Sequence, residues 1–125
     1  MQNIVLDLAF QTVVEKYKKH LQIMKPVLDQ LLLRVEEDHE ASGLKELMAV
    51  KKSLSQFKQN VEDVETQINL FSQKFGENNV QELIIEYFNH NINEIEFETK
   101  KMIQMIEDCE HFVSIHLDTV RYLYN

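Results

Sequence analysis

NVQELIIEYFNHNINEIEFETKKMIQMIEDCEHFVSIHLDTVRYLY, residues 79–124, contains neither glycine nor proline. Its apolar residues recur at steps of mostly three and four, an average period near 3.5, which predicts one helix of roughly 70 Å rather than strands. The repeating positions are Val80, Ile84, Phe88, Ile92, Ile95, Met102, Ile106, Cys109, Val113, Val120 and Leu123, with Thr99 and His116 completing the pattern. A stripe of this length predicts packing against other long helices.

A second set of apolar residues widens this stripe. Its members are Leu83, Tyr87, Met105, Phe112, Ile115 and Leu117. Because a broad stripe is expected when a helix touches more than one neighbour, we expect residues 79–124 to contact two other helices.

Two further helices are predicted, over residues 6–37 and 43–74, separated by the polar segment EEDHEASG. Pro26 interrupts the first, yet the apolar phase continues from Met24 to Leu28, so we expect a kinked helix, with a break into two as the alternative. On the second helix, the side chains expected on the solvated face are Lys45, Lys51, Lys52, Lys58, Glu62 and Glu65.

The predicted fold is all-α: an elongated antiparallel three-helix bundle in one domain, residues 1–125, with a very long C-terminal stalk helix. The third helix exceeds the other two by about 14 residues, so its C-terminal end is expected to overhang by roughly 20 Å. Because this end stays apolar, we expect it to have a partner, either another copy of the chain or another part of a larger protein.

Composition narrows the possible functions. A net charge of -8 argues against a nucleic-acid-binding protein, which needs an excess of basic residues on at least one face. Cys109 is the single cysteine, so neither a disulfide framework nor a CxxC metal site is possible, and a buried inert thiol is expected. No run of about 18 apolar residues and no secretory signal is present, which predicts a soluble chain.

Catalytic motifs are scarce. With Gly43 and Gly76 as the only glycines, a P-loop or a nucleophile elbow cannot be built. Glu36 with His39 has the E-x-x-H spacing of di-iron bundles, and Asp108 with His111 is a variant of it, but such sites need further inward-facing carboxylates. We therefore expect surface charge rather than a metal enzyme.

Five segments, in order, resemble the helical part of CorA-type magnesium channels, above all the eukaryotic Mrs/Alr branch. They are LAFQTVVEKYKKHL, KPVLDQLL, GLKELMAVKKSLSQFKQNVEDVETQINLF, VQELIIEYF and MIEDCEHFVSIHLDTVR. Within them, residues 83–87 resemble the family's stalk motif E-x-L-L-E-x-Y, and Leu117, Asp118 and Arg121 resemble its L-D-x-x-R. The likeness covers residues 6–123. Ala9 and Tyr122 depart from it, standing where the family usually has Pro and often has Asn, and the family's α/β part, transmembrane helices and G-M-N tripeptide do not occur in this sequence.

The resemblance implies a soluble stalk and regulatory domain on the inner side of a homopentameric magnesium channel, most commonly in the mitochondrial inner membrane with this domain on the matrix side. Membrane attachment would come only from transmembrane segments outside this sequence. The long helix would line a central funnel, with an interface between copies formed by Cys109, Val113, Leu117, Val120 and Arg121.

By the same resemblance, Asp118 is the candidate ligand for weakly bound, regulatory Mg²⁺. The alternative is an exposed carboxylate beside Arg121, with no bound cofactor at all. A different class of function is also open: a spectrin-like three-helix coiled-coil module that tethers protein partners through the apolar segment between His111 and Tyr124.

Overall fold

A computed structural model of the protein describes residues 2–38, 41–75 and 79–124. These ranges form three α-helices, α1 (Gln2–Asp38), α2 (Ala41–Phe75) and α3 (Asn79–Tyr124), and contain no strand, which confirms the all-α class for the described residues. The first helix begins four residues before its predicted start at residue 6, and the second begins two residues before residue 43. Helix ends of this kind are the least certain part of a periodicity argument.

Helix α1 continues through Pro26, so the alternative of two separate helices is wrong. A proline inside a helix removes one backbone hydrogen bond and crowds the preceding turn. Burial on the C-terminal side of the proline offsets this cost, because Leu28 is 1% exposed and Val35 is 1% exposed in contact with the other helices. Pro26 itself is exposed.

Two clusters of buried side chains hold the three helices together. The Leu47 cluster joins the C-terminal half of α1, the N-terminal half of α2 and the C-terminal half of α3; its buried members are Leu28, Leu31, Leu32, Val35, Leu47, Leu54, Met102, Ile106, Cys109 and Val113. The Phe88 cluster joins the N-terminal half of α1, the middle of α2 and the N-terminal half of α3; its buried members are Phe10, Val14, Phe57, Val61, Ile85, Phe88, Ile92 and Ile95. Each cluster therefore draws on all three helices.

Thr99 lies on α3 between the residues that α3 gives to the two clusters. It is completely buried, and its hydroxyl donates a hydrogen bond to the carbonyl oxygen of Ile95 at 2.7 Å. A buried hydroxyl without a partner would be costly, so this bond within the helix lets a polar residue occupy the buried stripe. On α1, Leu21 packs against both clusters and links them.

The first turn of α2 approaches α1 closely. Gly43 is buried there, and a Cβ atom added to it would lie 3.0 Å from Cγ2 of Val35. Val35 is itself buried and has a stiff β-branched side chain, so it has little room to move. The missing side chain at position 43 therefore sets how closely the two helices pack near their connection.

The ring of Phe88 is a central contact between α1 and α3. Its centroid lies 4.4 Å from that of Phe10, and it is 1% exposed. We expect Phe88→Ala to lower the free energy of unfolding by about 3–5 kcal/mol, because it removes a buried ring and leaves a cavity. Chemical denaturation with urea measures this change.

Phe97→Ala is the matched control, since Phe97 lies on the same helix and is 66% exposed. It should change the free energy of unfolding by less than about 1 kcal/mol. Equal losses in the two variants would contradict the assignment of the Phe88 cluster to the core.

Candidate functional site

The C-terminal part of α3 carries apolar side chains that the rest of the described chain leaves exposed. Val113 is the last buried residue of α3 among those described. We call residues 114–123 the C-terminal segment; it is roughly 15 Å long. Its exposed large apolar side chains are Ile115, Leu117, Val120, Tyr122 and Leu123, with exposures from 36% to 85%. Exposed large apolar side chains grouped on one segment are typical of an interaction site.

The structure divides the predicted interface between copies into two groups. Cys109 and Val113 are 5% and 1% exposed and belong to the Leu47 cluster, so within one chain they already contact α1 and α2. Leu117, Val120 and Arg121 are exposed on the C-terminal segment. The first two residues are therefore covered in this conformation, and the interface stays a prediction for the other three.

Asp118, the predicted magnesium ligand, is also exposed on the C-terminal segment, one helical turn before Arg121. Arg121 lies in the last turn of α3, where a positive charge interacts favourably with the helix dipole. Within the described part of the chain, no group of three or more histidine, cysteine, aspartate or glutamate residues is arranged to hold a metal ion. Within one chain, Asp118 is therefore not part of such a group.

The two histidine–carboxylate pairs considered above do not form a common site in the described residues. Asp108 and His111 are both exposed, and Asp108 accepts a hydrogen bond from Nε2 of Gln104 at 2.9 Å. Glu36 is exposed on α1, and His39 lies outside the described residues.

Two charged side chains of α2 that were expected in solvent, Lys51 and Glu65, instead contact α3. Lys51 is the clearer: its Nζ lies 3.8 Å from Glu107 Oε1 and 3.5 Å from Glu110 Oε1. Lys51 is 29% exposed and Glu110 is 25% exposed at their side chains, so the pair lies at the edge of the core. Ion pairs beside a helical stripe are typical of coiled-coil flanking positions.

Glu65 of α2 and Glu96 of α3 meet at a similar edge, but here both side chains are acidic. The pKa of the Glu96 carboxyl is raised from its ordinary 4.5 to about 7. Burial is the largest cause; the adjacent Glu65 carboxyl and the negative charge of Glu62 add to it, while the positive charge of Lys100 acts in the opposite direction. The sequence analysis did not predict this contact. The available signal was position: Glu65 follows Val64 and Glu96 follows Ile95, so each glutamate lies beside an apolar stripe.

Comparison with known protein families, curated proteins and solved structures finds no match to this chain.

Within the described residues, none of the three helices contains a stretch long and apolar enough to cross a membrane.

The burial of Cys109 has a measurable consequence for its chemistry. Burial is the main cause that raises the pKa of the Cys109 thiol, and the charges of Glu36 and Glu110 raise it further. Because the thiolate is the reactive form, we expect the folded chain to react with a thiol reagent such as Ellman's reagent at pH 7.5 at least about 100-fold more slowly than the unfolded chain. Absorbance of the released thiolate measures the rate.

The same chain in concentrated guanidinium chloride is the reference, since Cys109 is the only cysteine. Equal rates under native and denaturing conditions would show that Cys109 is accessible and would contradict its place in the Leu47 cluster.

Proposed function

We propose that this chain is the stalk and regulatory domain of a magnesium channel of the CorA type, acting on the inner side of the membrane. The single observation that carries the proposal is the exposed apolar C-terminal segment, which holds the L-D-x-x-R residues Leu117, Asp118 and Arg121 directly after the buried part of α3. In such a domain this segment would meet its counterparts in other copies.

The finer architecture is part of the same proposal: an elongated antiparallel bundle with α3 as the stalk. The pairing of helix halves in the two clusters supports it, because the C-terminal half of α1 and the N-terminal half of α2 share one cluster. Helices that meet in this way run in opposite directions. The Leu47 cluster ends at Val113, so the C-terminal segment would project beyond it.

Asp118 would supply one carboxylate from each copy to a site shared around the central axis. Mg²⁺ usually keeps several water ligands and binds one or two protein carboxylates, so a single exposed Asp118 in each chain fits such a site. Without a cation, like charges at close distance repel one another. Cation binding would thereby favour closer packing of the stalk helices.

A tethering module of the spectrin-like type is the second candidate. The same exposed surface favours it, since Leu117, Val120 and Leu123 could bind an apolar groove on another protein. This candidate requires no response to Mg²⁺. The gene sequence downstream of the Asn125 codon separates the two: about 20 apolar residues that lead to G-M-N support the channel, and a further helical repeat supports the tether.

Sedimentation velocity of the purified chain with and without millimolar Mg²⁺ tests the proposal directly. We expect Mg²⁺ to increase the mass or change the shape of the wild-type chain, because it neutralises repulsion between copies of Asp118. Asp118→Ala should abolish this response.

Asp29→Ala is the matched control, since Asp29 is an exposed aspartate on a different helix, α1. It should keep the wild-type response. Identical monomer profiles with and without Mg²⁺ for all three proteins would contradict a regulatory role for this chain, and an equal loss in both variants would show a general charge effect rather than a site at Asp118.

A further inference from the structure

Two carboxylate oxygens, one on α2 and one on α3, are buried and accept no hydrogen bond from the described residues. Oε2 of Glu65 on α2 and Oε1 of Glu96 on α3 are both buried, and within the described part of the chain neither has a hydrogen-bond partner. An ionised carboxylate can only accept hydrogen bonds, so two ionised groups cannot bond to one another. One proton would turn one of them into a donor.

We propose that Glu65 and Glu96 share one proton, and that this proton makes the contact between α2 and α3 sensitive to pH. The proton would give the pair one O–H donor and would remove the repulsion between two like charges. The proposal is independent of the proposed channel function.

The charges around the pair act in both directions, and the larger effect, that of Lys100, opposes protonation, so burial and the Glu65 carboxyl are what favour the protonated state. From α2, Glu62 adds a further negative charge, although its Oε1 lies 3.8 Å from Nζ of Lys58. From α3, Lys100 is the opposing positive charge. From α1, the rings of Tyr17 and His20 pack on Phe57, about two helical turns before Glu65.

The direction of the pH effect follows from the pKa of Glu96, which is raised from 4.5 to about 7. A carboxyl whose pKa is higher in the folded chain than in the unfolded chain binds its proton more tightly when folded. Its contribution to stability is complete below pH 4.5, decreases as pH rises, and is lost above about pH 7. We therefore expect the contact between α2 and α3 to be less stable above about pH 7 than below it.

Thermal unfolding of the full chain at pH 6 and pH 8 tests the inference, with circular dichroism as the readout. Four proteins are compared: wild type, Glu96→Gln, Glu65→Gln and Glu98→Gln. A glutamine at position 96 or 65 carries an amide N–H that can donate to the remaining carboxylate at any pH. We therefore expect the fall in Tm from pH 6 to pH 8 to be smaller in these two variants than in wild type, by about 2–4 °C.

Glu98→Gln is the matched control, because Glu98 is exposed on α3 and the substitution removes the same charge. It should retain the wild-type fall in Tm. The five histidines are the same in all four proteins, so they do not account for a difference between them. If both pair variants keep the wild-type fall, or if Glu98→Gln reduces it equally, the shared proton is ruled out.

Titration of the side-chain carboxyl carbons of the wild-type chain by NMR gives a second readout that needs no variant. A midpoint near pH 7 for one member of the pair is the expected result. If Glu65 and Glu96 both titrate near their ordinary value, the inference is overturned even where a variant fails to fold.

Discussion

The buried stripe of α3 is the constraint on which the rest of the structure depends. From Ile85 to Val113, α3 presents a buried side chain at nearly every turn, and each of them is at most 5% exposed. These side chains contribute to both clusters, whereas α1 and α2 each supply shorter sets that need α3 to cover them. Burial of an aliphatic or aromatic side chain contributes about 1.5–3 kcal/mol, so this one stripe supplies a large part of the driving force for folding. The positions of α1 and α2 follow from their need to cover it.

Polar groups at the edges of the stripe fix how the helices are placed along it. Nζ of Lys18 on α1 donates a hydrogen bond to Oδ1 of Asn91 at 3.0 Å, and Nδ2 of Asn91 donates to the carbonyl oxygen of Tyr87 at 3.0 Å. Asn91 is 5% exposed, and both ends of its amide have hydrogen-bond partners. Hydrophobic contacts alone tolerate sliding, whereas a buried amide bonded to a lysine on another helix specifies one alignment.

Much of this arrangement could be predicted from the spacing of apolar residues, and the remainder depends on distances between helices. The period near 3.5 located the three helices and the stripe that contains Thr99, because the period is a property of each helix alone. Burial of Cys109 was expected on the same ground. The contact of Glu65 with Glu96 was not predicted, since α2 and α3 must first be aligned before a side chain beside one stripe is known to meet the other. For the same reason, the sequence could not separate Cys109 and Val113, which α1 and α2 cover, from Leu117 and Val120, which they do not.

The division of the core into two clusters has a mechanical consequence. Between the clusters, α1 and α3 carry fewer buried apolar side chains, with Leu21 and Thr99 in these gaps, whereas on α2 the clusters follow one another directly at Leu54 and Phe57. Proteins open in cooperative units that often coincide with such separately packed regions. The Phe88 cluster could then open transiently while the Leu47 cluster stays closed. A force applied along α3 at the C-terminal segment would be resisted first by the Leu47 cluster, which is the nearer one. Bending would therefore be easier near Thr99 and Leu21 than within either cluster.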